Sequence, residues 1–372
     1  MDFRMEVWEY YRKSLWRDGR TIIPLMFTDD ANTDRERNWQ LKHLTAFGAK
    51  KGQFPAGYNH NYNLRLLGPW REFHQKAAAA SKTLFARGEF DNILLGQPWV
   101  KKNPSLVFYW GAIASLFYDI DYWNPQVNII KQSKPFLEGL EFYNRHVSSL
   151  HNPSKAEYAF CAMHRMMDAS DTETFPERIY GKATRLNMAR YHKIIAEFAS
   201  KGAKIGDEIK LWAGPIVCRK RKDDNDIGWM VDRGNFFKHL EQIDPETTSD
   251  AYWNVDTTIY GRFARAFKPA TDSKMYFSLD KNFFNNAQQQ KISLSITYKD
   301  TGTGSWELLY YNGQKMISAA KIKNTATDKW VKNVFTINDA VFAKALEKQS
   351  DFIIRYIGGD NTFFHLLDLK RE

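Results

Sequence analysis

Residues 291–298 read Lys-Ile-Ser-Leu-Ser-Ile-Thr-Tyr, polar and apolar in strict alternation. A period of two puts Ile292, Leu294, Ile296 and Tyr298 on one face and the hydroxyl side chains on the other. That pattern predicts a half-buried strand in an antiparallel sheet with one face packed. The run Asp300-Thr-Gly-Thr-Gly304 follows as a hairpin turn, and 306–311 is apolar enough to be the returning strand. Further strands are expected at 274–280, 315–323, 330–337, 351–357 and 362–370, separated by Gly, Asn and Asp turns. So many short strands over 246–372 predict an antiparallel, jelly-roll-like β-sandwich.

The first 245 residues have a different grain. Within 156–204 an apolar run at 158–163 leads into a loop dense in ionisable side chains. An amphipathic helix then carries Tyr191, Ile194, Ile195 and Phe198 at helical spacing, with Gly202 beyond its end. Similar units precede it: an opening helix that Gly19 stops, a strand at 21–27 closed by Asp29 and Asp30, and a helix at 34–48. A helix at 69–87 begins on Pro69 and precedes a short strand at 92–95. From Pro104 a helix is expected to run into a strand ending near Asp119 and Asp121, with another helix at 129–150 and a last strand at 213–218. Strands alternating with helices of this length predict a parallel sheet. About six units, short of eight, suggest a (β/α)8-type, TIM-like barrel over 1–245, either lacking its first strands or broken. The whole is then multidomain, α/β followed by all-β.

Twelve Trp, 18 Tyr and 26 Phe make an aromatic-rich chain, which suits a large core, sugar stacking or base stacking. The formal charge of +10 favours an anionic partner, yet the basic residues are spread among acids. Even the densest run, Arg219 to Lys222, is answered at once by Asp223, Asp224 and Asp226. Nucleic acid is therefore not expected as a partner, whereas an anionic polysaccharide is compatible with this balance. Cys161 and Cys218 form neither a metal-like spacing nor a disulfide framework, so no metal and no cofactor is expected. No apolar stretch is long enough to span a bilayer. The opening residues read as a polar helix instead of a secretory leader, so the chain is expected either in the cytoplasm or without its first strands and leader.

The tail carries a Trp-Lys-bearing strand entry at 328–332, Asn-Asp-Ala-x-Phe from Asn338, Asp-Phe-x-Ile-Arg from Asp351, Gly358-Gly359-Asp360, and His365-x-x-Asp368-Leu369. With these marks it resembles the β-sandwich appended to secreted bacterial carbohydrate-active enzymes. The stretches 160–181 and 254–267 are similar to barrel loops and linkers of glycoside-hydrolase-like proteins. The resemblance covers about the last third of the chain and the unit around 156–203. It implies a sugar-processing or sugar-binding barrel with an accessory sandwich, in a secreted or periplasmic setting if the N-terminus is incomplete.

Hydrolysis of a glycosidic bond by the common route needs two carboxyl groups, about 5 Å apart for retention and roughly 6.5 to 9.5 Å for inversion. Acids at expected strand ends supply the candidates: Asp30, Asp119, Asp121 and Asp168 for catalysis. Asp29, Tyr58, Tyr122, Trp123, His164, Asp171 and Glu177 are placed to hold a polysaccharide or oligosaccharide. Asp29, Asp168 and Asp171 suit helix caps and turns equally well. Two functions follow, a glycoside-hydrolase-like enzyme and a non-catalytic glycan-binding protein on a degenerate barrel.

Overall fold

The computed structural model describes residues 104–117, 119, 122–125, 131, 133–163, 178, 235–252, 262, 264–268, 273–284 and 288–372, with short strand pairings at 16–17, 20–21, 26–27, 52–53 and 86–90. Trp16–Arg17 pairs antiparallel with Arg20–Thr21, a strand pairing where the end of the opening helix was expected. Four strands, β1 (Met26–Phe27), β2 (Gly52–Gln53), β3 (Ala86–Phe90) and β4 (Tyr122–Pro125), then form a parallel sheet in chain order. The pairing is parallel and sequential as expected, but only β1 falls in an expected strand, β3 overlaps the end of the helix expected at 69–87, and among the described residues the sheet is open and no barrel forms.

Helix α1 (Pro104–Phe117) is apolar on nearly every side and buries Phe108, Ala112 and Leu116 completely. It ends on Asp119, whose φ of 60° is left-handed and whose backbone N–H returns to the Leu116 carbonyl at 3.2 Å. The expected strand running up to Asp119 is therefore corrected. The helix continues to Phe117, and β4 begins only at Tyr122, so Asp119 precedes the strand at its N-terminal end. Leu, Phe, Ala and Ile at 106–117 satisfy a buried helix and a buried strand alike, and the run is too long for an ordinary strand. Helix α2 (Ser133–His146) packs on α1 where Gly139 admits it, since a Cβ there would stand 2.8 Å from the Phe108 ring. A 3-10 turn at Val147–Ser149 follows.

The remaining described strands form a sandwich. They are β5 (Tyr158–Ala162), β6 (Phe236–Lys238), β7 (Leu240–Ile243), β8 (Ser249–Tyr252), β9 (Ala264–Phe267), β10 (Lys274–Leu279), β11 (Gln290–Asp300) and β12 (Ser305–Tyr311). They continue with β13 (Met316–Lys323), β14 (Lys329–Ala340), β15 (Phe352–Gly358) and β16 (Phe363–Arg371), while a one-turn helix α3 (Pro245–Thr248) links β7 to β8. One sheet has seven strands, ordered β8-β9-β16-β11-β14, with β5 also beside β16 and β6 beside β5. The other has five, ordered β13-β12-β15-β10-β7, and every pairing in both is antiparallel.

The alternation at 291–298 is realised in β11: Ile292, Leu294, Ile296 and Tyr298 all enter the core between the sheets. Trp306 from the facing sheet is fully buried and meets Tyr298 and Phe364 edge-on, each with centroids at 5.2 Å. Burying side chains of this size stabilises the sandwich by about 1.5–3 kcal/mol apiece. The loop after β13 is locked by Asp300, which accepts from the Thr325 amide at 2.6 Å and the Thr327 hydroxyl at 2.6 Å. Burial alone would raise its carboxyl, but the bonds from Thr327 and Thr325 outweigh burial and hold it at about 2.

The apolar run at 158–163 is a strand, as expected, but its partners correct its assignment to a parallel barrel. It lies antiparallel between β16 and β6, inside the sandwich. Its uniform apolarity has another cause: Ala159 and Cys161 face the sandwich core, while Phe160 meets Phe142 of α2 on the other side, centroids 5.2 Å apart. Strands β5 and β7 precede residue 245 yet pair with strands beyond it, and β6 joins through β5, so the sandwich draws chain from both sides of that position. The expected helices at 34–48 and 184–201 and the expected strands at 92–95 and 213–218 lie outside the described residues.

Candidate functional site

The two outer faces of the sandwich are finished differently. On the seven-stranded sheet, α2 lies across β16 and β5. Arg145 of α2 donates to the Asp368 carboxylate at 2.8 Å, and His146 Nε2 stands 3.1 Å from the other oxygen, off the hydrogen-bonding direction. Phe142, Tyr158 and Phe160 wrap the His146 ring, with centroids at 4.5, 5.4 and 4.9 Å. Burial would raise the Asp368 carboxyl, but His146, Arg145 and Lys332 outweigh it and keep it below the ordinary carboxylate range. Burial lowers the His146 pKa, against the opposing pull of Asp368. His146 and Asp368 are closed off from solvent while Arg145 keeps 31% of its side chain exposed, and the cluster serves to dock the helix.

On the five-stranded sheet the register builds one lateral row across four neighbouring strands. Lys321 of β13 stands opposite Glu307 of β12, Glu307 opposite Arg355 of β15, and Arg355 opposite Lys274 of β10. Glu307 is buried at 3% side-chain exposure; Arg355 donates to one of its oxygens and Lys321 lies 3.8 Å from the other. Burial would raise the Glu307 carboxyl, but hydrogen bonds from Ser318 and Arg355 and the charges of Arg355 and Lys321 hold it low. Glu307 is thus an ionised anchor that fixes the Arg355 guanidinium. Arg355 keeps 36% and Lys321 69% of their side chains exposed.

One row along the strands, Leu309, Ile353 and Tyr276 form an apolar band, and the segment 341–351 crosses it as a strap. Leu346 covers Leu309 and Ile353. Both ends of the strap are fixed. The Val341 amide bonds to the Tyr311 carbonyl at 2.8 Å, and the buried Asp351 carboxylate accepts from the Leu279 amide at 2.9 Å and the Lys344 amide at 3.2 Å. At the crest, Glu347 places its two oxygens 2.9 and 3.2 Å from Lys274 Nζ, and the Tyr276 hydroxyl donates to it at 3.0 Å. Lys348 pairs with Asp244 at 2.9 Å and lies over the Tyr276 ring at 5.6 Å.

Of the residues singled out in sequence, Asp119 is half-buried and ion-paired with Lys238 ahead of β4. Tyr122 and Trp123 lie in β4, opposite Arg87 and Gly88. Asp29, Asp30, Tyr58, Asp121, His164, Asp168, Asp171 and Glu177 lie outside the described residues. Sequence reasoning missed Lys274, Tyr276, Glu307, Glu347 and Arg355. A signal existed for two of them: Glu307 interrupts the apolar run of β12, and Arg355 closes the Asp-Phe-x-Ile-Arg mark. Among the described residues no group of three or more His, Cys, Asp and Glu is placed to hold a metal ion, and no helix is long and apolar enough to cross a membrane.

No family model matches the chain, and no curated protein matches it. Among solved structures it is similar to a carbohydrate binding module of family 29 at 14% identity and a TM-score of 0.21, covering 32% of this chain and 77% of that one. A mutant of a family 29 module gives 12% identity and a TM-score of 0.20, covering 32% of this chain and 79% of that one. A further family 29 variant, solved in complex with mannohexaose, gives 11% identity and 0.21, with 32% and 74% covered. At such TM-scores these are bare similarities, and what the chain does has to be read from its own surface.

Proposed function

We propose that this chain binds an anionic polysaccharide through the outer face of the five-stranded sheet. The observation that carries this reading is the lateral row Lys321, Glu307, Arg355, Lys274, in which Lys321 and Arg355 flank one buried carboxylate and Lys274 stands next to Arg355. Neighbouring strands are about 4.8 Å apart, so Arg355 and Lys274 stand one strand step apart and Lys321 two steps from Arg355, beyond Glu307. An extended polymer bearing carboxylates or sulfates can meet several of them at once. Arg355 suits the task, because a guanidinium donates in a planar fork and Glu307 has already restricted its rotamers, which lowers the entropy lost on binding. Exposed Lys321 makes the attraction sensitive to salt.

Affinity electrophoresis tests this. Polygalacturonate in the gel is expected to retard the full chain, neutral mannan is not, and an Arg355→Ala plus Lys321→Ala variant is expected to bind at least about tenfold more weakly. Equal retardation by single-stranded DNA, or no retardation by any polymer, overturns the reading.

A second reading, glycoside hydrolysis by a (β/α) barrel, is favoured by one observation, the four parallel strands in chain order. In it Asp30, Asp119, Asp121 and Asp168 supply acid and base, and Asp29, Tyr58, Tyr122, Trp123, His164, Asp171 and Glu177 hold the sugar. Asp119 fits least well, since it precedes β4 and already neutralises Lys238. The check is reducing-sugar release by Asp121→Asn and Asp168→Asn across a glycan panel; turnover equal to the unaltered chain in both removes these two from the chemistry.

A further inference from the structure

We infer that Lys274 and Tyr276 form a carboxylate subsite of the cationic face, selective for uronate residues, and that Glu347 of the strap occupies it from within the chain. The inference rests on the reading of that face as a glycan-binding surface.

Three observations carry it. Both oxygens of Glu347 are engaged, 2.9 and 3.2 Å from Lys274 Nζ, while the Tyr276 hydroxyl donates at 3.0 Å. An ammonium and a phenol converging on one carboxylate make a receptor for that group, whichever molecule carries it. The subsite is also continuous with the row, because Lys274 stands directly opposite Arg355. A uronate seated on Lys274 would leave the next carboxylate of its chain within reach of Arg355 and Lys321.

The third observation is that the strap does not depend on Glu347. Its ends are held by Val341 on Tyr311 and by Asp351 on Leu279 and Lys344, and Leu346 is packed on Leu309 and Ile353. Glu347 itself is 53% exposed at the crest. Lys274 keeps only 14% of its side chain exposed, but the carboxylate half of the pair is open to solvent, so a polyvalent ligand that also engages Arg355 can displace the Glu347 side chain without unfolding the strap. Sulfate esters place their charge on a tetrahedral group outside the sugar ring, whereas the planar carboxylate of a uronate reproduces what Glu347 already presents.

Calorimetric titration of the full chain with a galacturonate oligomer is the test, with mannohexaose as the neutral control. Glu347→Gln keeps the shape of the strap and removes the competing charge, so it is expected to bind the uronate oligomer about threefold more tightly and the neutral oligomer no better. Lys274→Met is expected to weaken uronate binding about tenfold, and the Glu347→Gln change is expected to add nothing in that background. If the unaltered chain binds the oligomer but Glu347→Gln leaves the affinity unchanged or lower, the internal-mimic inference is overturned while the glycan-binding reading stands. If neither the unaltered chain nor Glu347→Gln binds a uronate oligomer, both fall together.

Discussion

Asp368 and Glu347 are both carboxylates held against a basic side chain on an outer face of the same sandwich, at 2.8 and 2.9 Å. They differ in what lies above them. Asp368 is 6% exposed under α2, with the rings of Phe142, Tyr158 and Phe160 around its partner His146. Glu347 is 53% exposed at the crest of the strap, over a Lys274 that keeps 14%. The distance in an ion pair therefore says little about its role. Desolvation turns the first pair into a structural joint that cannot be opened cheaply, and solvent makes the second an exchangeable contact.

The sharpest way to break this comparison is to delete the sealed carboxylate. Asp368→Ala is expected to destabilise the fold by about 3 kcal/mol, read as a lower urea midpoint, because it strands Arg145 and leaves a void under the helix. A loss below about 1 kcal/mol would mean that α2 is not docked through this cluster, and the contrast between the faces would collapse.

How much of this contrast was legible beforehand depended on the range of the interactions. Strand periodicity is local, so Ile292 to Tyr298 and the strands that follow could be read almost to their ends. The partner of an apolar strand is not local. Tyr158–Ala162 has the composition of a parallel barrel strand only because a helix covers one side and a second sheet the other. The cationic row was hidden for the same reason: Glu307 and Arg355 each left a mark in their own strands, but only the register of four strands puts them in line with Lys274 and Lys321. Asp119 went to the wrong end of its strand because an apolar run carries no mark of where helix gives way to strand.

Acid should sharpen the difference next. His146 has its folded pKa lowered by burial, so below its ordinary value of 6.5 the unfolded chain takes up a proton that the folded chain refuses. Stability contributed by neutral His146 is therefore complete above pH 6.5 and falls as pH drops through and below that value, by no more than about 1.4 kcal/mol per pH unit. The groups facing it are Asp368, Arg145, Lys332 and the rings of Phe142, Tyr158 and Phe160. Asp368 is also lowered, so its own contribution holds until pH falls past the ordinary 3.8 and on toward its folded value. Urea midpoints measured from pH 7 to 5 should decline for the unaltered chain and decline less for His146→Phe. Parallel curves would place the acid-sensitive group elsewhere.

The smallest expected effect belongs to Glu347. Its bonds to Lys274 and Tyr276 are as short as those of Asp368, and a tally of contacts would assign Glu347→Ala a comparable cost. Solvent reverses that expectation, because water replaces the lost carboxylate at Lys274 and Tyr276, and the strap remains fixed through Asp351 and Leu346. The variant should unfold within about 0.5 kcal/mol of the unaltered chain. A loss near that of Asp368→Ala would show that Glu347 clamps the strap, and a residue with that duty cannot also yield its place to a ligand.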